Sequence, residues 1–179
     1  MKYLQNGSFQ NNSLMKLTLL FTLLFLTAFW VTNFALFFAK MNLTPHSVQA
    51  YYLGSEELFK MPRTYQSMLE VTHAHLPMMA LVILLLTHLL IFAPYQIKTK
   101  VTLIISGFLF ALLNEGSGWL VRFVSPNFTY LKIFSYLAFQ SILGFLIFAL
   151  GAYLFTGGKH HRETVHSTSE EIRTIQRQI

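Results

Sequence analysis

The 179-residue chain has no cysteine and no aspartate, and charged residues make up only 11% of it. The lack of cysteine excludes disulfide scaffolds, thiolate zinc sites and iron–sulfur ligation by this chain. A soluble domain contains about 25% charged residues, so the shortage of charge argues against a single soluble globule. Hydrophobic residues make up 54% of the chain, and 18 residues are phenylalanine. The composition therefore predicts a chain whose main solvent is lipid.

Four apolar stretches reach the length of about 20 residues that a membrane-spanning helix needs. The first exceeds the apolar region of a cleaved signal peptide, about 7–15 residues, so we expect it to be retained. Two glycines after the fourth stretch are a helix stop signal. We predict an all-α integral membrane four-helix bundle. The predicted parts are an N-terminal segment 1–16, a bundle 17–156 with spans 17–39, 71–93, 101–124 and 131–156 and a loop 41–66, and a polar tail 157–179.

The 13 Lys and Arg residues outnumber the seven acidic residues. We attribute this excess to the positive-inside rule rather than to nucleic-acid binding. If the four spans alternate, eight basic residues lie on the side of both termini and five on the other side. The sequence thus predicts a multi-pass membrane protein, in contact with lipid, with both termini cytoplasmic and the loop 41–66 external.

Ionisable side chains within predicted spans are the candidates for function. Each charged group in a span costs about 2.5–3.5 kcal/mol on insertion scales, so such groups are rarely accidental. Few residues meet this description. They are His73, His75, His88, Glu115 and Arg122, with Glu70 at the margin of the second span.

The densest of these groups lies at the start of the second span. Glu70 either completes a capping box with Ser67 or, three residues before His73, orients that histidine as a ligand. Pro77 lacks an amide hydrogen and is expected to kink the helix. Such a kink would let His73 and His75 face one centre, although they point about 200° apart on a straight helix.

His88 follows His73 by 15 residues, a spacing that fits two haems about 20 Å apart along one helix. No other predicted span contains histidine. A second axial ligand would therefore come from another copy or subunit, or each haem would have a single protein ligand. Gly107 and Gly151, at the depth of His88, either admit a flat cofactor or mark close helix contact.

Glu115 and Arg122 have several interpretations. Glu115 is a protonated carboxyl bonded to Gln140 or Asn33, a proton-relay group, or a metal ligand near His75. The similar depths of these residues predict that polar side chains converge in the outer half of the bundle. Arg122 extends to the interface, pairs with an acidic side chain, or holds a haem propionate or lipid phosphate.

Two resemblances concern the loop and the second span. The chain resembles a set of bacterial four-span inner-membrane proteins in its loop motif Tyr51-Tyr52-Leu53-Gly54-Ser55-Glu56-Glu57, in Lys60 and Glu70, and in His73-Ala-His75. In the spacing of His88 it resembles membrane b-type cytochromes. The second resemblance implies haem ligation and electron transfer.

Our leading hypothesis is a small redox-associated membrane subunit that passes electrons between the membrane pool and periplasmic partners. It would bind a b-type haem or a transition metal through His73, His75 and His88, with Glu70 and Glu115 as further metal ligands and Arg122 beside the cofactor. We expect a homodimer or a larger membrane redox complex. The alternative is a non-enzymatic scaffold or assembly subunit without a cofactor, and whether the chain is an enzyme stays open.

Overall fold

The computed structural model describes the backbone of residues 12–176 and the side chains of residues 12–155. Within this part the chain is helical, with one isolated β-bridge between Ser55 and Lys60 and no strand. Residues 1–11 of the predicted N-terminal segment 1–16 lie outside the described residues, as do the side chains of the polar tail. The helices are α1 Ser13–Lys40, α2 Pro45–Leu53, α3 Tyr65–Leu90, α4 Ile97–Phe123 and α5 Thr129–Gln176, with a 3-10 turn Pro126–Phe128 before α5.

Four helical segments are long and apolar enough to cross a membrane: α1, α3, α4 and the stretch Pro126–Phe155. Their outward faces carry large apolar side chains, and Phe25 and Phe148 are 75% and 76% exposed. Continuous apolar surface of this kind requires a lipid or protein partner. The predicted all-α membrane four-helix bundle is thereby confirmed. The cytoplasmic placement of the termini stays a prediction.

Helix α5 is the centre of the bundle, because it packs against α1, α3 and α4. Its Leu143 and Leu146 side chains are almost completely buried. Helix α1 is held on α5 by the Trp30 indole, whose Nε1 donates to the Gln140 carbonyl oxygen at 2.9 Å. Helices α1 and α3 do not pack closely against each other. The two helices instead contribute side chains to one buried cluster, Leu23 and Leu26 from α1 and Ile83 and Leu86 from α3.

The connection 41–64 folds over one end of the bundle, which we call the loop end. Thr44 caps α2 and Pro45 occupies its first turn, an arrangement that favours helix initiation. Val48 is fully buried, and α2 packs on α4 and α5. After α2 the chain turns at Gly54, whose φ is +86°, and a Cβ there would lie 2.7 Å from the Lys60 carbonyl oxygen. Only glycine fits this turn.

Two helix ends differ from the sequence-based expectation. Helix α3 begins at Tyr65, because the Thr64 hydroxyl accepts the Ser67 amide at 3.2 Å and acts as the cap. Ser67 is therefore inside the helix, and the predicted capping box of Ser67 with Glu70 is wrong. Helix α5 continues past Gly157, since glycine lowers helix propensity by only about 1 kcal/mol and does not forbid a helix.

Candidate functional site

A cavity of about 670 Å³ lies at the loop end, with walls from all five helices and the segment that follows α2. This volume is within the range of about 300–1,000 Å³ that small-molecule sites occupy. Most of the wall is apolar, as in such sites. Its polar and charged lining comprises Thr32, Asn33, Lys40, Tyr51, Tyr52, Arg63, Ser67, Thr72, His75, Asn114, Glu115, Lys132, Tyr136 and Gln140.

One face of α5 supplies three of these polar groups: Lys132, Tyr136 and Gln140. They recur every four residues and so lie above one another on the helix. We call them the α5 ladder. All three are buried, with exposed fractions of 7%, 4% and 4%. They therefore place hydrogen-bonding groups deep inside an apolar bundle.

The α5 ladder has hydrogen-bonding capacity that the described residues do not use. Tyr136 Oη and Gln140 Oε1 are buried and have no hydrogen-bond partner within the described part of the chain. A buried polar group left unpaired costs about 1–3 kcal/mol. The Tyr136 ring is fixed by stacking on Phe37, with centroids 3.8 Å apart. Tyr136 and Gln140 thus line the cavity while each keeps one buried polar atom without a partner among the described residues.

Lys132 stands at the end of the α5 ladder nearest the start of α5. Its Nζ donates to the Asn114 carbonyl oxygen at 2.6 Å and to Asn114 Oδ1 at 3.0 Å. An ammonium group has three N–H donors, and among the described residues the third has no acceptor. Asn114 therefore fixes a buried cation in the cavity wall while leaving it able to bind an acceptor.

Glu115 is held in the same wall by a short hydrogen-bonded chain. The Thr72 hydroxyl donates to Glu115 Oε1, and Trp119 Nε1 donates to the Thr72 hydroxyl at 2.9 Å. His75 Nδ1 lies 3.2 Å from Glu115 Oε2. The His75 side chain is 47% exposed and that of Glu115 is 13% exposed. The pair thus connects a mostly buried carboxylate to an accessible imidazole.

Arg63 brings a second cation to the cavity from the connection after α2. Its guanidinium donates to Ser67 Oγ at 3.1 Å and to the Tyr51 hydroxyl, and it lies 4.5 Å from the Tyr51 ring centroid. Arg122 Nε donates to the Arg63 carbonyl oxygen at 2.7 Å. Arg122 itself does not line the cavity. Its observed contact fixes the segment that carries Arg63.

Tyr52 closes the loop end from α2. Burial raises the pKa of its phenol, and the neighbouring Tyr51 and Glu115 raise it further. The hydroxyl fits because α4 has no side chain at Gly118, where a Cβ would lie 2.7 Å from Tyr52 Oη. The neutral phenol is therefore packed tightly between α2 and α4.

The second-span histidines do not share one centre. His75 lines the cavity, whereas His73 and His88 are exposed and do not. The His88 ring contacts Phe92 edge-on at 5.7 Å. Among the described residues, no three His or Glu side chains come together in a way that would hold a metal ion. The ligand roles of His73 and His88 stay predictions.

The remaining candidates occupy different surroundings. Glu70 is exposed and accepts a hydrogen bond from Gln66 Nε2 at 3.0 Å. A Cβ on Gly107 would lie 3.4 Å from Ile83 Cγ2, so that glycine is at a close helix contact, while a Cβ on Gly151 would have no neighbour within 4 Å. The expected convergence of Asn33, Glu115 and Gln140 is found, because all three line the cavity.

Lys132 and Arg63 line the cavity but are not among the site residues predicted from the sequence. The four-residue spacing of Lys132, Tyr136 and Gln140 was a usable signal, because it places three polar groups on one face of an otherwise apolar helix. The composition of the loop 41–66 predicts that it folds over the mouth of the bundle, but it does not single out Arg63 as the residue that reaches the cavity.

Residues 42–161 match a family described as a transmembrane helical domain. This match covers about two thirds of the chain and includes α2, α3, α4 and the membrane-spanning part of α5. The chain belongs to this family. It is therefore a small multi-pass membrane protein, a conclusion consistent with a bacterial inner membrane. No curated protein and no solved structure matches it.

Proposed function

We propose that this protein is a small membrane subunit that binds a membrane-soluble molecule in the cavity at the loop end. The α5 ladder is the observation that carries the proposal. Tyr136 and Gln140 line the cavity, and their Oη and Oε1 atoms are buried and unpaired within the described part of the chain. Rotation of the two side chains towards a bound molecule with both a donor and an acceptor would satisfy these atoms, which would offset the cost of burying them.

The test is whether a molecule from the membrane remains bound to the purified protein. We expect native mass spectrometry in mild detergent to show one retained molecule per chain, and organic extraction to release it. Gln140→Leu removes the buried acceptor and should lower its occupancy at least tenfold. Ser141→Leu is the matched control, because Ser141 is exposed and bonds only to the Leu137 carbonyl oxygen.

Two results would contradict this function. One is a protein that carries no extractable molecule and binds none when mixed with membrane lipids. The other is equal occupancy in Gln140→Leu and Ser141→Leu. The scaffold alternative predicts the first result, since a subunit that only docks a partner needs no ligand in its cavity.

A second candidate is the redox function predicted from the histidines. The pairing of His75 with Glu115 in the cavity wall favours it, because an imidazole and a carboxylate together are able to ligate a metal or accept a proton from a reduced carrier. In that case His75, rather than His73 or His88, is the ligand that faces the cavity. Electrons would pass between the membrane pool and a periplasmic partner.

A reduced-minus-oxidised visible spectrum with metal analysis tests the redox candidate. A Soret band or a stoichiometric metal that His75→Ala diminishes would support it, and His46→Ala is the control in the connection after α1. A spectrum without a Soret band, together with no stoichiometric iron, copper or zinc, would exclude a haem or metal cofactor. If His75→Ala leaves the spectrum unchanged, His75 is not the ligand. His88→Ala then tests the other predicted haem ligand.

A further inference from the structure

The cavity described above has a net positive lining at the end where the loop covers it. Three cationic residues, Lys40, Arg63 and Lys132, line it against one carboxylate, Glu115, which leaves a formal charge of +2 with His75 neutral. The carboxylate already accepts hydrogen bonds from within the wall. Glu115 is an opposite charge close enough to interact with Lys132, so one carboxylate faces three cations among the described lining residues.

Two of these cations are fixed in place and retain free donors. Lys132 is more than nine-tenths buried, and Asn114 accepts two of its three N–H groups. Arg63 uses two guanidinium nitrogens on Ser67 and Tyr51 out of five N–H donors. Fixed N–H donors on positive groups are the chemistry that recognises an oxyanion such as phosphate or carboxylate.

The same cavity has partly exposed apolar walls on two helices that do not pack closely against each other. Leu36 on α1 and Val71 and Met78 on α3 line it, and these residues are 48%, 39% and 51% exposed. From Ser67 to Met79 the cavity follows α3 over about 18 Å of helix rise. The space beside the cationic end is therefore long and apolar enough for a hydrocarbon chain.

We propose, on the basis of the function proposed above, that the occupant is an anionic amphiphile. Its phosphate or carboxylate head would bind Lys132 and Arg63, and its apolar chain would lie along the cavity walls that α1 and α3 supply. The polar atoms of Tyr136 and Gln140 would contact the part of the molecule next to the head. Arg122 is a positioning residue in this scheme, because it holds the backbone of Arg63 and does not line the cavity.

Binding of defined probes to the delipidated full chain in neutral detergent tests the proposal. We expect dodecyl phosphate or dodecanoate to bind at least tenfold more tightly than dodecanol, which has the same chain without the charge. Inorganic phosphate alone should bind far more weakly, because it lacks the chain. Lys132→Met and Arg63→Gln should each weaken dodecyl phosphate binding at least tenfold, whereas Lys98→Met, which changes an exposed cation outside the cavity, should not.

The outcomes separate this inference from the function on which it rests. Equal binding of dodecanol and the charged probes would overturn the anionic head while leaving the ligand-binding function intact. Tight binding of inorganic phosphate alone would show that the occupant is a free anion rather than a lipid. If no probe binds, charged or neutral, the proposed function fails as well. Should Lys132→Met not fold, Arg63→Gln decides the matter, since Arg63 lies outside the spans.

Discussion

Gly144 provides a direct test of how α1 is attached to the bundle. A methyl group at this position would lie 2.8 Å from Trp30 Cζ2 and 3.2 Å from Cε2. The indole cannot retreat freely, because its Nε1 bonds to the Gln140 carbonyl oxygen and its ring contacts Phe34 edge-on at 5.2 Å. Gly144→Ala should therefore push Trp30 away from α5 and loosen one wall of the cavity.

The expected magnitude follows from three terms. Overpacking costs about 1–3 kcal/mol, and loss of the indole hydrogen bond costs about 0.5–1.5 kcal/mol. Alanine has a higher helix propensity than glycine, and this offsets about 1 kcal/mol of the two costs. The net loss should be about 0.5–3.5 kcal/mol. Gly151→Ala is the matched control on the same helix, since a Cβ there meets nothing within 4 Å, and it should leave stability unchanged or raise it.

Thermal unfolding in mild detergent measures the difference between the two variants. The unfolding temperature of Gly144→Ala should fall below that of the unchanged protein, while that of Gly151→Ala should not. In a Trp30→Phe background the cost of the alanine at position 144 should shrink, because the smaller ring relieves the contact. Equal stability of Gly144→Ala and Gly151→Ala would refute the close contact between Trp30 and α5.

Two further predictions concern Tyr52. Gly118→Ala should destabilise the protein by about 1–3 kcal/mol, because its methyl group would meet the Tyr52 hydroxyl at 2.7 Å. Gly116→Ala is the control and should not destabilise it, because a Cβ there has nothing within 4 Å. Equal unfolding temperatures of the two variants would count against this contact. Because burial raises the pKa of Tyr52, its contribution should be complete below the unfolded pKa of about 10 and be lost as pH rises above it. Tyr52→Phe should therefore lessen the fall in unfolding temperature between pH 9 and 11, and an unchanged fall would argue against a buried neutral phenol.

The fold follows from the sequence to a large extent, because lipid imposes strong constraints on a chain. The apolar runs that became α1, α3, α4 and α5 are visible without any structure, since a spanning helix satisfies its own backbone hydrogen bonds. Local signals near the ends of these runs were less reliable. Thr64 and Ser67 both offer a hydroxyl for a cap, and only the path of the preceding connection decides which of them begins α3.

The candidate site was predictable only in part. The sequence placed Asn33, Glu115 and Gln140 at similar depth, because helix rise is constant. It did not decide which side of α3 faces inward, so it could not separate His75 from His73. Membrane helices have apolar residues on most faces, and their sequence pattern therefore records the inward direction only weakly.

The shortage of charge in this chain determined that it is a membrane bundle and limited the functional candidates to a few ionisable residues. Tertiary structure decided which of them meet. The connection after α2 folds back to bring Arg63 into the wall of the cavity that Lys132 also lines, and the Trp30 contact holds α1 on α5. These are contacts between residues far apart in the chain, and they depend on how complete helices pack rather than on any local sequence signal.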